Sequence, residues 1–189
     1  MILLIRHGRS SYKHDGRWLG AADVAAFEDA YDAAGIRDDS TPPPALRAAV
    51  ADAGVVCASD MTRAIDSARR LVPEREILTS PLLREIRLEP PRWIPFRLPM
   101  ATWDAFSHWQ WSYRLFVDRR SNSTHEFMRR ADAATEWLES HVRQSASVAV
   151  VMHAGFRRLV AAKLVARGWR HGRSKRSYEN WSAWEFLRT

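Results

Sequence analysis

The sequence has one cysteine, Cys57, and three lysines, Lys13, Lys163 and Lys175. A lone cysteine excludes a disulfide within the chain and any cysteine-rich zinc module. No apolar run approaches the roughly 20 residues of a membrane span. The opening Met1-Ile2-Leu3-Leu4-Ile5 is too short for a secretory signal and has no basic leader before it. The sequence shows no internal repeat, no low-complexity tract and no convergent carboxylate cluster that would hold a metal. The expectation is a cytoplasmic, reduced protein with no metal, no cofactor and no membrane partner.

What is present is an ordinary globular composition: 189 residues, 46% hydrophobic and 27% charged. A chain of this length forms one domain over 1–189 and buries roughly 70% of its unfolded surface without staples. Lys and Arg number 29 against 22 Asp and Glu, a net charge of +7 carried almost wholly by arginine. Arginine offers a planar fork to phosphate or carboxylate. That balance fits either nucleic acid or a small phosphorylated molecule.

Three short apolar runs, rich in β-branched residues, read as buried strands: Ile2 to Ile5, Val55 to Ala58, and Val148 to Met152. Ile77-Leu78 and Trp184 to Phe186 are weaker strand candidates. Helical spacing places Val24, Phe27, Tyr31 and Ala34 on one face, with Gly35 as the stop. Pro42-Pro43-Pro44 leads into a helix from Ala45 to Ala53. Further helices are expected over Asp60–Leu71, around Phe127, Ala131, Ala134, Leu138 and Val142, and over Phe156–Arg167 before Gly168. Strands alternating with helices predict a three-layer α/β/α sandwich on a mostly parallel sheet. Pro90 to Pro99 is proline-rich, with Trp93, Trp103, Trp109 and Trp111 around it. An irregular insertion at about 88–122, packed over the core, is expected there.

In an open α/β sheet, ligands bind beyond the carboxyl ends of the strands. The first strand is followed by Arg6, His7, Gly8, Arg9 and Ser10. The second is followed by Ser59 and Asp60, read as a helix cap, and then Arg63. The third is followed by His153, Ala154 and Gly155. Two arginines beside helix N-termini make an anion site. A histidine inside such a site is a candidate nucleophile toward phosphorus. Alone, His7 reads as a hydrogen-bonded strand-end histidine and Arg63 as a surface cation; together with Arg6 and His153 they read as a site. Ser10 either caps the next segment or touches phosphate. Arg170-His171-Gly172 repeats the first triplet, but it follows a helix within the basic run Arg167–Arg176, with no apolar strand before it. It is read as a decoy on a solvated face, and nucleic acid is not expected as a partner.

These residues carry a resemblance. Arg6-His7-Gly8 after an N-terminal strand is similar to the signature of the histidine phosphatase superfamily, which includes cofactor-dependent phosphoglycerate mutases and many small phosphatases. Ala58-Ser59-Asp60-Met61-Thr62-Arg63-Ala64 with Ser67-Ala68 resembles its second motif, Leu82-Leu83-Arg84-Glu85 the segment carrying its acid, and Val151-Met152-His153-Ala154-Gly155 its last motif. The resemblance implies a phosphoglycerate mutase-like fold. It also implies a metal-independent, histidine acid phosphatase-like phosphomonoester hydrolase with a small phosphorylated substrate. His7 would form a phosphohistidine, with Arg6, Arg63, His153 and Ser10 at the phosphate. Glu85 would be the general acid, with Glu89 and Glu28 as the other carboxylates to weigh. The chain departs from the mutases: it has Lys13 where they have Asn, Leu88-Glu89-Pro90-Pro91 where they have a Tyr-Gly-type loop, and no Trp-Glu-Gly feature of the related small phosphatases. It is also shorter than a typical mutase and lacks the phosphoglycerate-clamping segments. These departures favour a phosphatase. A mutase-type phosphotransferase and a non-catalytic phosphate-binding protein are the alternatives.

Overall fold

The computed structural model describes residues 1–13, 16–87, 93–116, 122–174 and 176–188. Strand β1 (Ile2–Arg6) is followed by α1 (Ala21–Ala33), α2 (Pro44–Ala51), β2 (Val55–Ser59), α3 (Thr62–Leu71) and β3 (Leu78–Ser80). After a 3-10 turn at Pro81–Leu83 come α4 (Met100–Phe116), α5 (Asn122–Ser145), β4 (Val148–Met152) and α6 (Ala154–Ala166). The short β5 (Arg170–His171) and β6 (Ala183–Leu187) follow. The six strands form one sheet in the order β3-β2-β4-β1-β6-β5. The first four are mutually parallel, and β6 runs antiparallel to β1.

The three apolar runs become the three central strands because both sheet faces are covered. Ile2 and Leu4 of β1 turn to one side, with Val148, Val150 and Met152 of β4, against Leu138 of α5 and Phe156, Val160 and Leu164 of α6. Leu3 and Ile5 turn to the other side, with Ala149 and Val151, against Val50 after the proline triplet and Ala64, Ala68 and Leu71 of α3. Every residue of β4 is fully buried. At roughly 1.5–3 kcal/mol per buried aliphatic side chain, this double-sided strand holds the layers together. The fold is therefore an α/β/α sandwich on a mixed, mostly parallel sheet. No helix among the described residues is long and apolar enough to cross a membrane.

The structure corrects three expectations. The segment 88–122 is not irregular throughout: after the non-helical 93–99 it forms a 17-residue helix, α4. Trp103 of α4 is buried and donates its indole N–H to Leu19 O at 2.7 Å, which ties the segment to the entry of α1. Trp93 and Trp109 are exposed, and the Trp111 side chain lies outside the described residues. Ser59-Asp60 does not cap α3, which starts after Met61 with no side-chain cap bond. Asp60 instead takes a bidentate pair from Arg84 at 2.8 and 2.6 Å. Third, Arg170-His171 is a strand after all, but a two-residue one at the sheet edge, paired to β6 and separated by it from β1. Its His171 lies against Phe186, away from the strand ends considered next.

Candidate active site

The sheet register brings the candidate residues together. Arg6 pairs with Met152, and Ala58 with Val151, so β1, β2 and β4 end side by side. His7 and His153, the next residues on two adjacent strands, have ring centroids 5.1 Å apart. Both are buried, and so is Arg63, the second residue of α3.

Hydrogen bonds define what each ring nitrogen offers. His7 Nδ1 lies 2.7 Å from Gly8 O, a carbonyl that only an N–H can satisfy. Nε2 of His7 therefore carries the lone pair. Arg63 Nε–H donates to His153 Nδ1 at 3.3 Å, so His153 is the opposite case and carries its hydrogen on Nε2. That Nε2 is buried with no hydrogen-bond partner among the described residues, and so is Arg6 Nε. Unpartnered buried donors are costly unless a ligand completes them. One histidine presents a nucleophilic nitrogen, the other a donor, and the arginines supply positive charge.

The electrostatics agree with the hydrogen bonds. Burial first, then Arg63, with Arg6 and Arg157 adding to it, pushes His7 down to about 3; the bond to Gly8 O acts against this shift. His153 is held well below its ordinary value by burial, by His7 and by Arg63. Both rings are thus neutral near pH 7. This has a consequence for stability. Unfolded histidines take up protons below about pH 6.5, whereas folded His7 resists until about pH 3. The unfolded state binds more protons across that window, so this contribution to stability is complete above about pH 6.5 and is lost as pH falls toward 3. Denaturation midpoints followed from pH 7 to 4 should fall less steeply for a His7→Gln/His153→Gln variant than for the wild type.

Glu85 reaches the same place from the turn after β3. Its Oε1 accepts N–H bonds from Ile86 at 2.9 Å and Phe156 at 2.7 Å, and its Oε2 accepts from Gly155 at 3.0 Å. Gly155 and Phe156 lie in the first turn of α6, where backbone N–H groups lack helical partners. Glu85 supplies them. A Cβ at Gly155 would come within 2.8 Å of Glu85 Oε1, so this approach requires glycine. Glu28, on the facing side of α1, is half-buried, 3.4 Å from Arg87. Burial raises its carboxyl to about 7 despite Arg87. Glu89 lies outside the described residues. Ser10 makes the local capping contact: its hydroxyl accepts the Tyr12 N–H at 3.2 Å.

A cavity of about 710 Å³ opens beside these groups. Arg6, Arg63, Glu85 and Gly155 line it together with Phe27, Glu28, Tyr31, Ile86 and Met100, whereas neither His7 nor His153, both buried, is among its lining residues. A pocket of this size is in the range that holds a small organic molecule.

Several contributors were not visible in the sequence. The segment 177–182 wraps the first triplet. Asn180 Nδ2 donates to His7 O at 3.0 Å and to Gly8 O at 3.2 Å. Arg6 donates to Tyr178 O. Trp181, in the left-handed region at φ 63°, donates its backbone N–H to Arg6 O. Buried Arg157 holds the segment in turn, donating to Ser182 O at 2.8 Å and Ser177 O at 3.0 Å and stacking over Trp184 at 4.1 Å. The one signal available was spacing: Arg157 follows His153 by four residues and so lies one turn above it.

A sequence model of the histidine phosphatase superfamily (branch 1) matches residues 2–185. The chain belongs to the histidine phosphatase superfamily. Solved structures give the same fold. An open reading frame product of Mycobacterium tuberculosis is 16% identical, with a TM-score of 0.59 over 98% of this chain and 94% of that one. A mycobacterial glucosyl-3-phosphoglycerate phosphatase is 18% identical, with a TM-score of 0.52 over 87% and 79% of the two chains. A phosphoserine phosphatase from Entamoeba histolytica, in complex with 3-phosphoglyceric acid, is 13% identical, with a TM-score of 0.51 over the same shares. No curated protein matches the sequence.

Proposed function

We propose that this member of the histidine phosphatase superfamily is a metal-independent phosphomonoesterase that works through a phosphohistidine at His7. The observation that carries the reading is the opposed state of two buried rings, His7 with its lone pair on Nε2 and His153 with its hydrogen there. In the first step the His7 Nε2 lone pair forms the N–P bond while the ester P–O bond breaks, and the leaving oxygen takes a proton from a carboxyl group. In the second, water attacks phosphorus, the N–P bond breaks, and a carboxylate takes the water's proton. Arg6, Arg63 and His153 Nε2–H bind the equatorial oxygens, whose charge the transition state spreads.

Glu85 is the carboxyl assigned to the proton, on its place in the cavity lining and against the α6 turn that follows His153. A second reading gives the donor role to Glu28. Its half-buried carboxyl faces the same cavity and keeps a proton up to about pH 7, as a general acid should. Phosphatases of this superfamily fold act on varied esters. The roomy cavity fits a substrate with a substantial body beyond its phosphate, in a soluble, cytoplasmic setting.

The test is phosphate release from a broad panel of phosphomonoesters, with and without chelator. EDTA should leave the rate unchanged, because arginines supply the charge. Vanadate or tungstate should inhibit, since either can fill the inner cavity with near-transition-state geometry. A blank panel would revert the chain to a phosphate-binding role. Phosphoryl transfer to a sugar-phosphate acceptor without release of phosphate would make it a mutase.

A further inference from the structure

Arg63 does not stand free in the cavity. Its Nη2 pairs with Asp32 Oδ1 at 3.1 Å, its Nη1 donates to Tyr31 O at 3.1 Å, and its guanidinium lies over the Tyr31 ring at 4.6 Å. Met61 Sδ lies 3.7 Å from Nη2. Only the Asp32 contact is an ion pair with a carboxylate among the described residues. The result is a chain of three side chains from three elements: Asp32 of α1, Arg63 of α3 and His153 between β4 and α6. Asp32 near the end of α1 grips one edge of the Arg63 fork, and the Nε–H at the root of that fork points at His153 Nδ1.

We propose that Asp32 is a positioning residue, which through Arg63 holds His153 as the tautomer with hydrogen on Nε2. The inference rests on the reading of His153 as a phosphate-binding donor. A guanidinium is always a donor, so wherever its Nε–H faces His153 Nδ1 that nitrogen must accept, and the hydrogen is forced onto Nε2. The plane of the fork decides whether Nε faces the ring. A planar group is fixed by contacts around its rim: His153 at Nε, Asp32 at the neighbouring Nη2 and the Tyr31 carbonyl at Nη1. Without the carboxylate, the fork retains the Tyr31 carbonyl and ring and can swing about that side. Arg63 can then still reach the phosphate while its Nε–H turns away from His153. His153, freed of an obligatory donor, can place its hydrogen on Nδ1 and offer the phosphoryl group a lone pair. Two lone pairs, from His7 and His153, would then face one another across phosphorus. The arrangement follows the general logic by which a second partner fixes a histidine tautomer, with an arginine set between carboxylate and ring.

The experiment uses full-length protein with 15N-labelled histidine. Nδ1 and Nε2 of a neutral ring have distinct 15N shifts that report which one is protonated. The His153 signals are assigned by their loss in His153→Asn. The wild type should show His153 with hydrogen on Nε2 alone. Asp32→Ala should show mixed tautomers, and kcat on an aryl phosphate should fall roughly 10- to 100-fold, the range lost when an outer partner of a functional histidine is removed. KM should change by less than about threefold, since Arg63 still reaches the anion. Asp32→Asn, which keeps an acceptor oxygen, should restore the single-tautomer spectrum and most of kcat. Asp32 is about a third exposed, so neither variant threatens the core. A single Nε2–H signature persisting in Asp32→Ala would overturn the proposal, as would an Nδ1–H ring in the wild type. The spectra stand apart from turnover: a wild type that released no phosphate would refute the phosphatase reading and leave the tautomer test intact.

Discussion

His7→Ala should lower kcat for any phosphomonoester by at least roughly 10³ and abolish the acid-labile phosphoenzyme. The size of the loss follows from what surrounds the ring. The other ring within reach, His153, has its Nδ1 occupied by Arg63 and its hydrogen on Nε2, so it has no lone pair to attack with. Cys57 is the only thiol in the chain; it is buried, and burial pushes it up to about 12, so it supplies no thiolate. Rapid-quench trapping with a radiolabelled substrate should give wild-type protein a label that mild acid removes and alkali does not. A phosphoserine would behave in the reverse way. His171→Ala, in the repeated triplet at the sheet edge, should leave kcat within about threefold. Normal turnover by His7→Ala, or a collapse in His171→Ala, would refute the site assignment.

The parts of this protein that could be read in advance are those where one local pattern decides the outcome. β1, β2 and β4 are apolar without alternation because helices cover both faces, and that run length is visible in the sequence. Arg6, His7, Arg63 and His153 follow those strands directly, so their convergence came with the parallel order. α4 was missed because its aromatic residues do not fall on one clean stripe and a proline-rich segment precedes it. The Ser59-Asp60 cap was misread because a distant arginine, Arg84, claims Asp60. The contributions of Asn180 and Trp181 had no local signature. They act through backbone groups of residues more than 170 positions away, and only the β1–β6 pairing brings the segment there. Arg157 was hidden for a related reason: an arginine in a helix reads as solvent-facing until carbonyls from another segment satisfy it.

Glu85→Gln should lose roughly 10² to 10⁴ in rate on alkyl phosphates and far less on p-nitrophenyl phosphate, provided phosphohistidine formation limits both. An alkoxide is a poor leaving group and needs the proton fully, whereas a nitrophenolate leaves nearly unaided. The structure sharpens the test because the two candidate carboxyls differ. Glu85 is fixed by three N–H donors from two segments, so its oxygens are accurately placed. Glu28 lines the same cavity from α1 and is raised to about 7 by burial. A group that must be protonated to act imposes a loss of rate as pH rises through its pKa. If Glu28 donates, the basic limb of the kcat/KM profile falls near pH 7, and Glu28→Gln removes that limb and the alkyl rate together. If Glu85 donates, Glu28→Gln leaves the alkyl-to-aryl ratio within a few-fold of the wild type, and Glu85→Gln carries both effects. Trapped phosphohistidine separates the remaining case. Should Glu85→Gln accumulate labelled enzyme while its alkyl-to-aryl ratio stays unchanged, Glu85 serves the water in the second step and the proton for the leaving group comes from the α1 wall. The same assays on Glu89→Gln complete the set, and a wild-type ratio in all three variants would remove the carboxyl-donor step from the mechanism.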